Sequence, residues 1–86
     1  MVPDSIAFTV KGRPFRLSQP DVVRVMRGVE PEPIRAHGVS VGGQTYPVKQ
    51  VFAAATGLDR LDFTSEVARR HLEHLGFELM RAEAAR

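Results

Sequence analysis

The sequence predicts a small α+β fold in which two β-hairpins and a short last strand form antiparallel sheet, packed by three helices. Three observations predict this class. Two segments alternate apolar and polar residues around a turn. Three further segments have helical periodicity, and each of them ends at a glycine. The chain also has only 86 residues, so we expect a single domain over residues 1–86 with one modest core.

The first hairpin is predicted over residues 6–17. Apolar residues alternate along its two arms, and a turn over residues 11–14 connects them. A helix follows, because Ser18 is a favourable N-cap and Gly28 ends the periodic pattern. We expect the apolar stripe of this helix to consist of Val22, Val25, Met26 and Val29.

The second hairpin is predicted over residues 39–48, with Gly42-Gly43 as its turn. The stretch PEPIRAHG before it is predicted to be a stiff connector, because proline cannot donate to a strand ladder. Helices are expected over residues 48–57 and 64–75, the latter capped by Thr64. A short last strand follows around Phe77 and Leu79, and residues 82–86 are expected to fray.

An internal repeat is visible when the chain is shifted by 31 positions, which places residues 8–19 over 39–50. The repeat units would be 6–29 and 37–58, followed by a helix–strand segment over 64–80. Alternating hairpins align in this way whatever their origin, so duplication and shared hairpin pattern both remain open interpretations.

The composition is that of an ordinary globular protein, with 43% hydrophobic and 26% charged residues. The absence of cysteine excludes disulfides and thiol catalysis, and fits a reducing compartment. No signal peptide and no membrane-length apolar run is visible. We therefore expect a cytoplasmic protein that does not associate with membranes.

Motifs that would indicate catalysis are missing from the sequence. Neither a G-x-S-x-G motif nor a Walker loop occurs. His71 and His74 are three residues apart and could share a helix face, but no third ligand accompanies them. We therefore expect no enzymatic activity, metal, cofactor or small-molecule substrate. A metal-dependent enzyme ranks third, after the DNA-binding and protein-interaction interpretations given below.

The basic residues are mostly arginine, ten of twelve, and they are unevenly distributed. Residues 1–29 contain five basic residues against two acids, whereas residues 59–86 contain five arginines against six acids. This mild asymmetry indicates that an electropositive surface would involve the first half of the chain.

The segment over residues 51–79 has the order of a helix-turn-helix, whose second helix enters the major groove of DNA. Residues 64–79, TSEVARRHLEHLGFEL, resemble the second helix and exit strand of winged-helix regulators. The resemblance implies that Ser65, Arg69 and Arg70 face outward at the reading end of the helix.

Two features depart from the winged-helix pattern. The loop GLDRLDF is longer than the tight turn of a standard motif, and the hairpins precede the helix. Glu66 and Glu73 lie on the same helix and would repel phosphates. A capped amphipathic helix with solvated outer charges therefore remains the alternative interpretation.

A second resemblance covers about residues 39–79. The residues that carry it are Tyr46, Pro47, Lys49, Phe63, Arg69, Leu72, Gly76 and Phe77. With these residues the segment resembles small modules found beside HNH nucleases in bacterial modification-dependent restriction enzymes of the McrA type. No HNH nuclease motif is present, so the resemblance implies an accessory module that contacts DNA or protein without cleaving it.

The sequence thus predicts a non-catalytic DNA-binding or DNA-associated accessory domain, which uses the helix over 64–75 and the first hairpin. The alternative is a protein-interaction module, either a homodimer or a subunit of a larger complex, which exposed sheet edges would suit. Charged residues on an edge hairpin also serve to prevent aggregation. The predicted nucleic-acid contacts are Arg13, Arg16, Lys49, Gln50, Ser65, Arg69 and Arg70.

Overall fold

The computed structural model describes residues 3–81, which form two antiparallel sheets and three helices. The predicted α+β class is confirmed, and residues 82–86, expected to fray, lie outside the described part. The strands are β1 (Ser5–Val10), β2 (Arg13–Ser18), β3 (His37–Val41), β4 (Gln44–Pro47) and β5 (Glu78–Arg81). The helices are α1 (Gln19–Met26), α2 (Val48–Thr56) and α3 (Ser65–His74), with a 3-10 turn at Arg60–Asp62.

The first hairpin, β1–β2, is a two-stranded sheet of its own. Its turn consists of Lys11 and Gly12, which both have positive φ (53° and 76°), as a two-residue type I′ turn requires. The predicted turn over residues 11–14 was therefore too long. Pro14 belongs to β2 and lies opposite Thr9, because an edge strand tolerates a residue without an N–H donor.

Helix α1 begins with a capping box in which Ser18 and Asp21 bond each other's backbone N–H groups. Val22 and Met26 are buried as predicted, but the prediction for Val25 was wrong, since 39% of its surface is exposed. The buried face extends from these two residues towards Val23, which leaves Val25 at its opposite margin.

The second sheet has the strand order β4-β3-β5, with all pairs antiparallel. At one end of this sheet, Gly38 lies between Pro47 and Met80, and the neighbouring His37 pairs with Arg81. We call this the His37 end. Gly38 has no side chain, and this leaves room for the Ile34 side chain of the connector to pack close to the sheet. A Cβ added at position 38 would lie only 3.1 Å from Ile34 Cδ1.

Helix α2 lies at the centre of the fold and packs on α1, α3, the second sheet and the 3-10 turn. Its fully buried Phe52 meets Phe63 edge-on, with ring centroids 4.8 Å apart, and Phe8 of the first hairpin at 5.6 Å. Phe8 also stacks on His71 of α3 at 4.2 Å. These ring contacts connect the first hairpin to helices α2 and α3.

The connection between α2 and α3 contains the 3-10 turn, after α2 ends at Gly57 with φ 78°. It is longer than the three or four residues that join the helices of a standard helix-turn-helix. Among residues 3–81, no helix has both the length and the apolar character needed to span a membrane.

Candidate nucleic-acid interface

A cleft of about 270 Å³ opens at the His37 end of the second sheet, between the connector and the starts of α2 and α3. We call it the basic cleft. The polar residues that line it are Glu32, Arg35, His37, Lys49, Arg60 and Ser65.

Gln50 holds the connector in place beside this cleft. Its amide Nε2 donates to the Glu30 carbonyl (2.9 Å), and its Oε1 accepts from the Glu32 backbone N–H (3.0 Å). Only 6% of Gln50 is exposed, so both ends of its amide are occupied inside the protein. The prediction of Gln50 as a nucleic-acid contact was wrong, because its side chain points into the fold and not outward.

A second clamp on the connector comes from Arg60, whose two terminal nitrogens each lie 2.6 Å from a carboxylate oxygen of Glu32. The Arg60 hydrogen bonds hold the pKa of Glu32 below its usual range. Glu32 is the acidic residue of the cleft lining, and this bidentate pair neutralises it.

The remaining charges around the cleft are positive. Lys49 lies over the Phe63 ring, with Nζ 5.4 Å from its centroid, and Arg35 extends from the connector. Arg69 and Arg81 lie close enough to His37 to lower its pKa, although desolvation is the larger cause. The Nε atom of Arg69 is buried and has no hydrogen-bond acceptor within the described part of the chain. Ion pairs among residues 3–81 involve Lys11, Arg24 and Arg60 instead of these cations.

The start of α2 adds to the positive potential. Its N-cap is Pro47, no side chain caps it, and its first turn contains no acidic residue. Pro47, Val48 and Lys49 all line the cleft, so the positive end of the helix dipole lies beside it. Ser65, the first residue of α3, faces the same cleft and provides a hydroxyl.

The outer face of α3 is mixed in charge. Arg70 is exposed, and it shares a shallow groove with Arg69 and the carboxylates of Glu66 and Glu73. These carboxylates would repel DNA phosphates near the predicted reading helix. Arg70 therefore lies apart from the basic cleft, on a surface where acids balance the arginines.

The two arginines of the first hairpin lie outside the cleft as well. Arg13 packs over the Phe15 ring at 5.4 Å, and Arg16 donates to the Ser5 hydroxyl at 3.3 Å. Because successive side chains of a strand point to opposite faces, positions 13 and 16 are on different faces of β2. They do not form one contact surface.

Of the seven predicted contacts, the structure brings Lys49 and Ser65 into one cleft, with Arg69 near its His37 wall. Arg35 and His37 also line the cleft and were missed, and Arg81 lies near His37. Arg35 and His37 fall in the stretch PEPIRAHG, which the sequence marks as a spacer, although His37 is the first residue of β3 in the structure. Arg81 joins them because β5 pairs with β3, a contact between distant parts of the chain.

Within residues 3–81, His71 and His74 are not part of a group of three His, Cys, Asp or Glu side chains that could hold a metal ion. His71 stacks on Phe8 instead.

Comparison with known proteins gives a match to a protein family. A family model described as SCO5918-like matches residues 8–86, which is nearly the whole chain. No curated protein and no solved structure matches the chain.

Proposed function

We propose that this chain, which belongs to the SCO5918-like family along almost its full length, is a non-catalytic DNA-binding domain. The reason is that its geometry concentrates positive charge in one cleft. The observation that supports this proposal is the convergence of cations from different segments on the basic cleft, where the acid is already paired. Polyanions bind to such surfaces by neutralising phosphates and releasing counterions.

The chemistry of the cleft suits a phosphodiester backbone. Arg35 can form bidentate hydrogen bonds to phosphate oxygens, and Lys49 acts as a point charge. The Ser65 hydroxyl and the uncapped backbone N–H groups of α2 are further donors of the kind that contact phosphates. These groups read no base sequence, so the affinity is expected to be mainly electrostatic.

Phosphate contact at the cleft is better supported than base reading by α3. The arginines on the outer face of α3 lie between Glu66 and Glu73, whereas the acid of the cleft is paired with Arg60. Any sequence preference would then be weak and would come from contacts around the cleft.

The test is fluorescence anisotropy of a labelled duplex at about 50 and 200 mM salt, where the phosphate term is large. The variant Arg35→Gln/Lys49→Gln removes two charges from the cleft. We expect it to bind more weakly at both salts, and the slope of log affinity against log salt to fall by about 1.8 in magnitude, at roughly 0.9 per phosphate contact.

The matched control is Arg13→Gln/Arg16→Gln, which removes the same charge from the first hairpin. We expect it to keep the wild-type salt slope. Thermal melts of both variants check that they remain folded. Equal losses in the two variants would show that the cleft has no special role, and absence of binding by the wild-type chain at about 50 mM salt would end the DNA proposal.

The second candidate function, a protein-interaction module, has one specific observation in its favour. Leu61 on the 3-10 turn is 91% exposed, which is unusual for a leucine, and Met80 on β5 is 48% exposed. β5 lies at the edge of its sheet, where a partner strand could pair. If the duplex test fails, these two residues are where a protein partner should be sought.

A further inference from the structure

His37 stands at the wall of the basic cleft. It is the first residue of β3, is half-buried, and lies opposite Arg81 in the β3–β5 register. Arg69 approaches it from α3 closely enough to affect its ionisation. The imidazole therefore lines the cleft, with these two arginines near it.

The charged groups around His37 come from every element that borders the cleft. The connector contributes Arg35 and Glu32, the latter paired with Arg60 of the 3-10 turn. The unpaired charges of the cleft lining are those of Arg35 in the connector and Lys49 in α2. Arg81 of β5 and Arg69 of α3 lie near His37, and Arg69 also shares a groove with the carboxylates of Glu66 and Glu73.

In the free protein these surroundings disfavour the imidazolium form. Desolvation lowers the pKa of His37, and the positive charges of Arg69 and Arg81 lower it further. An anion placed between these groups reverses the electrostatic balance, because a nearby opposite charge favours the protonated ring. The neutral ring donates one hydrogen bond, whereas the imidazolium donates two.

We propose that His37 is a phosphate-binding residue of the basic cleft, and that it takes up a proton from solvent when a phosphate group binds. The proposal rests on the proposed function in one respect, since the DNA backbone is there the source of the phosphate. The shared chemistry is a tetrahedral oxyanion held by His37 together with Arg35 and Lys49 of the cleft lining.

The sign of the pH dependence follows from this uptake. Below the pKa of His37 in the free protein, the ring is already protonated and binding is tightest. As the pH rises through the higher pKa of the complex, the proton must be lost and the affinity falls to its lower limit. If binding raises the pKa by about one unit, the affinity changes about tenfold across this window.

The first measurement follows the imidazole resonances of His37, His71 and His74 by NMR over about pH 5 to 8, the range in which histidines titrate. The chain is titrated alone, with a short DNA duplex, and with sulfate, whose charge is constant in this range, at one ionic strength set by sodium chloride. We expect the duplex and sulfate to raise the pKa of His37. His74 in the last turn of α3 is exposed and provides the internal reference.

The second measurement compares duplex affinity across the same pH range in three variants. His37→Arg carries a fixed charge, so it should bind tightly at all these pH values and lose the pH dependence. His37→Gln should bind weakly throughout, by about tenfold at the acidic limit. His74→Gln is the matched control and should keep the wild-type profile.

The outcomes separate the two proposals. A pKa rise with sulfate but no duplex binding would support the oxyanion site and refute its DNA source. Duplex binding with an unchanged pKa of His37, or a pH dependence that survives in His37→Arg, would overturn the His37 proposal while DNA binding stands. A rise with the duplex alone would support the site as one that requires the phosphodiester backbone.

Discussion

The two hairpin–helix units of this chain have the same order of elements but begin their helices differently. Each hairpin closes with two residues of positive φ, and each leads directly into a helix. Helix α1 starts at a capping box, in which the hydrogen bond from Ser18 contributes most to the lowered pKa of Asp21. Helix α2 starts at Pro47 with no capping side chain and no acid in its first turn.

This difference indicates where an external anion can bind. The N-terminal N–H groups and the dipole of α1 are satisfied by its own side chains. Those of α2 face a cleft that contains Arg35 and Lys49. The second unit therefore provides the open helix start that a phosphate can use, and the first unit provides a closed one.

A further pair of residues allows the comparison to be tested. Gln19 and Gln50 are 31 positions apart and match in the sequence repeat, as the first residue of α1 and the third residue of α2. Gln19 makes one hydrogen bond, from its Nε2 to the Leu75 carbonyl at 2.6 Å. Gln50 makes two and is more completely buried, and it holds the connector that borders the cleft.

The largest expected effect is on stability in Gln50→Ala. Removing its amide leaves a backbone carbonyl and a backbone N–H of the connector unpaired, so the free energy of unfolding should fall by about 1–3 kcal/mol. Gln19→Ala, which breaks one partly buried bond, should lose about 0.5–1.5 kcal/mol. Urea unfolding of the two variants gives both numbers. An equal or larger loss in Gln19→Ala would contradict the unequal roles assigned to the two residues.

Local signals in the sequence were sufficient for most of the fold. The Gly42-Gly43 turn, the Ser18 and Thr64 caps and the glycine stop at Gly57 each act within a few residues, and the structure has each of them in the expected role. Local pattern did not distinguish Val25 from its buried neighbours, because which side of α1 meets α2 depends on the packing of distant segments.

The site was less accessible to sequence reasoning for the same reason. Lys49 and Ser65 were found because they lie at helix starts, which have recognisable signatures. Arg35 borders the cleft only when the connector is clamped by Gln50, and Arg81 comes to lie beside His37 only when β5 pairs with β3. Gln50 follows Lys49 in the chain, but its side chain points into the fold whereas Lys49 lines the cleft. The residue type alone does not show which way a polar side chain points.

A smaller effect is expected when the closed helix start is opened. Ser18→Ala removes the side chain that accepts from the Asp21 N–H, and should reduce the free energy of unfolding by about 1 kcal/mol. Duplex affinity should not change, since α1 does not border the basic cleft. Urea unfolding and anisotropy measure the two quantities, with Ser18→Thr as the variant that retains a cap. A loss of affinity in a folded Ser18→Ala chain would show that the first unit also contributes to binding.

The smallest expected effect concerns His71 of α3, whose ring contacts both units. Its ring stacks on Phe8 of the first unit at 4.2 Å and on Phe52 of the second at 5.8 Å. Desolvation in this stack lowers its pKa, and the charges of Arg70 and His74 lower it further. The folded state therefore favours the neutral ring, whereas the unfolded chain takes up the proton near pH 6.5. Stability is fully present above that value and declines as the pH falls towards the lower pKa of the folded state.

His71→Phe keeps the aromatic stack but cannot titrate, so this variant should lose less stability than the wild type between about pH 7.5 and 5, the range around the unfolded-state pKa. The difference should be modest, because His71 is only half-buried and solvent screens part of its interactions. Some acid sensitivity should remain from His37, whose pKa is also lowered. Urea unfolding at the two pH values measures the difference, with His74→Gln as the control. An unchanged pH dependence in His71→Phe would mean that protonation of His71 does not contribute to the acid sensitivity.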